Sequence, residues 1–262
     1  MKDYLTGMPD RLIDLSGLAA FLLAWEFFPR LGVVDGQFIP PLTNVLREIV
    51  KLAVDGSLFI HIAASLQRIL IGLLAAISLA VPLGFLLGGV FPAAAQQLRP
   101  LFRLFGQINA FALFPIFILF FGIGEAAKIA IIFWSTVWPV FFTTSVGVRN
   151  IDPLYVKSAR AFGADKATIF FKVILPGAAP VIFTGIRSGA TRAFLMLIAA
   201  EMIGAKAGLG WLVHNSEMNA IMPRLFAAMI TIAALGMLLN WLLVRVEANI
   251  VDWQAAVPGP QK

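Results

Sequence analysis

The sequence predicts an all-α integral membrane protein with six transmembrane helices. Two observations carry that expectation. The chain of 262 residues is 60% hydrophobic and only 13% charged, with a mean hydropathy of +0.90, whereas a soluble domain is about 45–50% apolar and about 25% charged. Its apolar residues are also gathered into windows close to the roughly 20 residues that a membrane helix needs. This balance excludes a disordered chain, a nucleic-acid-binding tail and an ordinary soluble enzyme. The absence of cysteine excludes a disulfide framework, a thiolate metal site and a cysteine nucleophile. Two histidines, His61 and His214, do not make a histidine-rich metal centre. The net charge of +6 fits basic residues gathered in cytoplasmic loops, so no nucleic-acid partner is expected.

The spans fall at about Leu12–Phe28, Ser65–Val90, Leu104–Phe121, Ala126–Val148, Val181–Ile203 and Phe226–Val246. The first carries Asp14 and Glu26. It lacks the small-residue pattern of a cleavage site, so it is expected to stay as a span. Pro115 and Pro139 are expected to kink the third and fourth. Most tryptophans, Trp253 among them, fall near span ends, where interfacial anchoring is the ordinary explanation. The phenylalanine-rich third and fourth spans are read as packing.

Between the first two spans, Pro40 and Pro41 precede Thr43, which is expected to cap a helix by its residue type. Val45, Leu46, Ile49, Val50 and Leu52 then alternate with charged residues at helical spacing. That pattern makes an amphipathic helix lying on the membrane surface. Three regions follow: residues 1–64 with the first span and an extracytoplasmic amphipathic segment, a core of five spans over 65–248, and a cytoplasmic tail over 249–262. Six spans put both termini on one side. That side would hold Lys2, Arg11, Arg99, Arg103, Arg149, Lys157, Arg160, Lys166, Lys172, Arg187, Arg245 and Lys262, and the basic-loop rule makes it the cytoplasm. Arg30, Arg47, Lys51, Arg68, Lys128, Lys206 and Arg224 would lie opposite.

The loop over about 150–180 is the long hydrophilic stretch of the cytoplasmic side. Asp152-Pro153 starts a helix, and Gly163 stands where a helix-ending glycine would. Asp165 caps a second helix, which Pro176 is expected to end. Small residues (Ala159, Ala161, Ala164) around one aromatic, Phe162, suit docking into a groove on another protein. An ordinary basic loop held by lipid head groups is the alternative.

These residues also carry a resemblance. Lys157, Ser158 and Ala159, then Gly163, then Val173, Leu175 and Pro176, match the spacing of the EAA signature of permease subunits from ABC-type importers. Lys157 replaces the signature glutamate, and Ser158 stands where alanine is frequent. FIPP before the amphipathic helix, SLQRILIG at 65–72, FPIFILFFGIGE at 114–125 and AAEMIGAKAGLG at 199–210 resemble the nitrate, sulfonate and taurine branch, with Asn109 where that branch tends to have proline. The resemblance implies a type I importer fold with cytoplasmic coupling helices. It further implies a second permease copy, two ATP-binding subunits, an extracytoplasmic solute-binding protein and a place in the bacterial inner membrane. Lys157, Ser158, Ala159, Phe162, Gly163, Ala164, Val173, Leu175 and Pro176 would couple to the ATPase.

The chain itself has no Walker-type phosphate loop, so no catalytic residue, metal or cofactor is assigned to it. ATP and Mg would belong to the partner. Charged residues inside spans are functional candidates. Arg192 lies near mid-membrane in the fifth span, where a guanidinium either attracts an oxyanion or holds helices together. Glu201 lies about 13 Å further along a straight helix, too far for a direct pair. With Gly208 and Gly210 it either shapes an outer gate or is structural. Gln107 and Asn109 are two apart, so on a continuous helix they would face different directions, and at most one would line a path. His61 and His214 are read as solvated or capping residues. The function read from these features is the membrane subunit of an importer for a small anion such as nitrate, a sulfonate or taurine. An ion-gradient-driven secondary transporter or channel is the alternative, one that would need acidic residues at mid-membrane.

Overall fold

The molecule is described by a computed structural model covering residues 10–251, and it is helical, with no strand among the described residues. Three long helices make its centre: α3 (Ser57–Phe85), α6 (Glu125–Arg149) and α9 (Leu175–Met202); the labels follow chain order. In helices that are apolar on all sides, close approach depends on small residues that let backbones meet. Glycines supply it here. A methyl added at Gly84 would lie 2.6 Å from Thr144 Cβ, and one at Gly72 would lie 2.8 Å from Ile132 Cβ. Ala76, Ala80, Val140 and Ala178 are fully buried where the three helices meet. The hydroxyls of Thr136 and Thr144 donate to carbonyls on their own helix, Ile132 O at 2.8 Å and Val140 O at 2.7 Å, so burying them costs little.

Four helical stretches are long and apolar enough to cross a membrane: 57–90, 125–149, 166–202 and α11 (Met222–Ile250). The expected fourth and sixth spans fall on α6 and α11. The second begins at Ser57, ahead of the expected start at Ser65, so the expected regional boundary at residue 64 falls inside α3. A π turn carries it through Leu86–Val90. The expected first span lies on α1 (Asp10–Arg30), which is not among the four. Residues 252–262, with Trp253 and most of the expected tail, lie outside the described residues, as does Lys2.

The third span differs from expectation. It is two helices, α4 (Pro92–Gln107) and α5 (Phe114–Phe121), joined through a 3-10 turn over Ala110–Leu113 and bent by 84°. Ile108 and Asn109 leave helical geometry (ψ 125° and 117°). Asn109 Oδ1 accepts from Phe111 N at 2.9 Å and caps the new turn. Pro115 therefore starts a helix and does not kink one, the position proline tolerates best.

Pro176 is a similar correction. It does not end the second helix of the 150–180 loop. Short α8 (Lys166–Ile169) passes through a π turn at Phe170–Ile174 directly into α9, where Pro176 sits in the first turn. The amphipathic segment is α2 (Leu42–Val54). It does not simply lie on a surface: Val45 and Leu52 are buried among α11 residues such as Ala227 and Leu235, and Glu48 pairs with Arg224 at 2.9 Å. Thr43 is not its cap. Pro41 is, and Thr43 instead bonds Glu26 of α1 through N–H and hydroxyl at 2.9 and 3.0 Å. A further helix, α10 (Leu209–Met218), stands between α9 and α11.

Candidate functional site

The bundle carries three features along its length: an ionic cluster at one end, a cavity in the middle and an exposed elbow at the other end.

The cluster is built from α3, α6, α9 and the loop 203–208. Arg68 on α3 is the hub. Its Nη1 donates to Glu201 Oε1 and to Ala207 O, both at 2.7 Å, and its Nη2 donates to Glu125 Oε1 at 2.9 Å. Glu201 is wholly buried and also accepts from Ser65 Oγ at 2.8 Å and Gly210 N at 2.8 Å. Lys128 reaches Glu125 at 3.1 Å. His61 is buried; its Nδ1 accepts from Gly208 N at 3.1 Å, and its ring stacks on Trp211. Of the two readings of His61, solvated or capping, burial excludes the first, while the Gly208 N–H from which it accepts lies at the start of α10. His214, by contrast, is half-buried on α10, with its side chain 44% exposed. A buried charge is tolerated only when paired and hydrogen-bonded, and each carboxylate oxygen of Glu201 meets that condition. The arrangement ties the glycine-rich loop after α9 to the start of α3. Gly208 fits because its φ is +131° and a Cβ there would lie 2.5 Å from Glu201 Oε1; one at Gly210 would lie 2.6 Å from Ile198 O.

The cavity, of about 250 Å³, is lined by Gln107, Asn109, Trp134, Ser135, Trp138 and Arg192 among others. Gln107 and Asn109 face it together, against the expectation for a continuous helix, because the chain breaks between them. Arg192 is exposed on α9 and, among the described residues, meets no carboxylate within 4 Å. Trp134 and Trp138 lie in the middle of α6, not at its ends, which corrects the interfacial reading for these two. Their indole nitrogens are buried without a hydrogen-bond partner among the described residues, while their rings pack on Phe102, Phe105 and Phe117, as the packing reading expects for Phe105 and Phe117.

The elbow is α7 (Pro153–Ala161), a turn at Phe162–Ala164, and α8. Asp152 Oδ1 accepts from Leu154 N at 2.8 Å and Asp165 Oδ1 from Thr168 N at 3.1 Å, so each helix start is capped. The Thr168 hydrogen bonds hold the Asp165 carboxyl below its ordinary value. Gly163 has φ +79°, and the N–H groups of Gly163 and Ala164 close the turn onto Arg160 O and Ala159 O at 2.9 and 3.0 Å, a helix ending that favours glycine. Phe162 is 91% exposed at its tip. Lys157 and Ser158 are exposed on α7, whereas Val173, Leu175 and Pro176 are half-buried where the π turn enters α9.

Residues 80–252 match the family described as binding-protein-dependent transport system inner membrane component. The chain belongs to that family. It is similar to the taurine transport system permease protein TauC of Escherichia coli K12 (31% identical over 94% of this chain and 90% of the relative). It is also similar to the putative aliphatic sulfonates transport permease protein SsuC of Bacillus subtilis 168 (29%, covering 92% and 87%). The nitrate import permease protein NrtB of Leptolyngbya laminosa is 34% identical, covering 75% and 70%. The chain is thus an ABC importer permease of the nitrate, sulfonate and taurine branch, a multi-pass membrane transport subunit.

Sequence reasoning about this permease placed Glu201, Gly208 and Gly210 together but missed their partners. By sequence Arg68 reads as an outer basic residue and as part of SLQRILIG, although an arginine inside an apolar span is itself a signal of a built polar site. Ser65 and His61 carried no such signal, because their partners come from residues 201–209, remote in sequence. No group of histidine, aspartate or glutamate suited to a metal occurs among the described residues.

Proposed function

We propose that this permease is the path-forming subunit of an ATP-driven importer for a small anion: nitrate, a sulfonate or taurine, the solutes named for its relatives. The observation that carries the reading is Arg192, a guanidinium unpaired among the described residues, on the wall of a cavity half-way along the bundle, beside Gln107 and Asn109. A guanidinium fork matches an oxyanion, and the two amides add neutral donors. The cavity lies between the cluster of Arg68 with Glu201 and the elbow, as a central site between two gates would.

In this reading α1 and the bent α4–α5 pair complete six passages, with both termini in the cytoplasm of a bacterial inner membrane. Two copies of the chain form the path. A solute-binding protein delivers the anion at the end that carries Glu201, Gly208 and Gly210, which act as the outer gate. Two ATP-binding subunits, which hold ATP and Mg, receive Ala159, Phe162, Gly163 and Ala164 in a cleft, with Lys157 and Ser158 on its rim. Val173, Leu175 and Pro176 pass elbow motion into α9, since α8, the π turn and α9 form one continuous rod. Nucleotide state then biases two arrangements of the bundle.

A gradient-driven transporter is less well supported. The cavity wall carries no carboxylate, and Glu125 and Glu201 are both engaged by Arg68. The test is uptake of labelled taurine, an alkanesulfonate and nitrate into proteoliposomes that hold the assembled transporter, with and without ATP and with and without an imposed ion gradient. Uptake that needs ATP and the binding protein supports the proposal; uptake driven by the gradient alone overturns it.

A further inference from the structure

A second cavity in the molecule is larger than the central one. It measures about 830 Å³, lies at the elbow end, and plays no part in the proposed path. Its walls come from the end of α3 and its π turn, the end of α6, the elbow, and the entry to α9. They are apolar almost throughout, with Val81, Phe85, Val148, Ile169 and Leu175 among the lining residues. Two side chains break that pattern, Arg160 of α7 and Lys166 of α8. Both are exposed, and neither has a carboxylate within 4 Å among the described residues. The acids nearest in sequence are engaged elsewhere: Asp165 caps Thr168 N and Asp152 caps Leu154 N.

We propose that this groove binds one anionic phospholipid, its acyl chains along the apolar wall and its phosphate against Arg160 and Lys166. The volume falls within the range of ligand sites, about 300–1,000 Å³. Charge complementarity selects the occupant: a long apolar seat with two free cations at one end suits an amphiphile with a negative head, and a basic pocket between helices at the cytoplasmic face is the usual receptor for such a head group. A zwitterionic lipid brings the same phosphate, but its own ammonium offsets that charge, so it compensates the two cations less well. A soluble anion would leave the apolar wall against water. Because the groove spans α3, α6, the elbow and α9, its lipid would brace the elbow against the bundle. The inference does not depend on which solute is carried.

The test uses the whole transporter, purified with its ATP-binding subunits, stripped of lipid in detergent, and titrated with phosphatidylglycerol or phosphatidylcholine under native mass spectrometry. Each cation near an anionic head contributes about a fivefold preference, so phosphatidylglycerol should be retained about 25-fold more strongly. Arg160→Gln with Lys166→Gln should abolish that preference. Leu86→Trp, which narrows the groove without touching either cation, should weaken retention of both lipids. Leu154→Trp, exposed on the elbow but outside the groove, should change neither. Equal retention of the two lipids, or full displacement by inorganic phosphate, would overturn the proposal. So would efficient cross-linking of Val156→Cys to an ATP-binding subunit or a second permease copy, because protein would then fill the groove.

Discussion

Arg68 Nη1 stands 2.7 Å from Glu201 Oε1, and the two side chains, 7% and 0% exposed, join α3 to the last turn of α9. Glu125 shares the same guanidinium, but its own side chain is 58% exposed. Burial, more than the number of ion pairs, decides what each partner contributes. Removing one member of a buried pair strands the other and costs about 3–5 kcal/mol, whereas an exposed pair contributes about 0–1 kcal/mol. Glu201→Ala should therefore lower the thermal midpoint of the detergent-solubilised permease strongly, and Glu125→Ala should lower it too, because it strands the buried Lys128 ammonium. Lys51→Ala, at the exposed end of a pair whose Glu48 keeps Arg224, should shift it only slightly. A Lys51→Ala shift as large as that of Glu201→Ala would contradict the argument.

The same cluster fixes the loop after α9. Gly208 combines a positive φ with direct packing on the Glu201 carboxylate, while Gly163 has a positive φ and open space where a Cβ would go. Gly208→Ala thus incurs both backbone strain, of order 1–3 kcal/mol, and loss of the Glu201 contacts. Gly163→Ala incurs about 1–2 kcal/mol of strain alone. Unfolding midpoints of the two variants, measured side by side, should fall further for Gly208→Ala.

Arg192 is the variant that separates path from scaffold. Among the described residues it has no partner to strand, so Arg192→Gln should leave stability within about 0.5 kcal/mol of wild type, as a surface substitution does, and ATPase assembly intact. ATP-dependent anion uptake should fall at least tenfold, and Arg192→Lys should recover part of it by restoring charge without the bidentate fork. A large stability loss, or undiminished uptake, would return Arg192 to a structural role.

The helices of the core were legible because they are long and apolar: α6 and α11 fall where hydropathy puts them. The break at Ile108–Asn109 was not legible, since the residues on both sides are apolar enough to read as one span and the only local signal is a capping asparagine. Pro176 misled in the opposite direction. A proline after a helical run reads as a stop, and only the preceding π turn shows that the run continues through it. In the candidate site, Glu201 with its glycines could be read within one segment, as could the elbow. Arg68 and His61 could not be joined to them, because the pairing spans more than 130 residues and follows from how α3 crosses α9. Gln107, Asn109 and Arg192 were each legible as polar residues in spans. Their convergence on one cavity depended on the unseen break.

The central claim is that the elbow tip carries motion between an ATP-binding subunit and the bundle, and cross-linking tests it most directly. The chain has no cysteine, so Phe162→Cys gives a single reactive site at a position 91% exposed. In the assembled transporter this site should cross-link to the ATP-binding subunit, with a yield that changes between nucleotide-free and ATP-bound states. A site that labels freely from solvent in both states, with no ATP-binding subunit captured, would contradict the account.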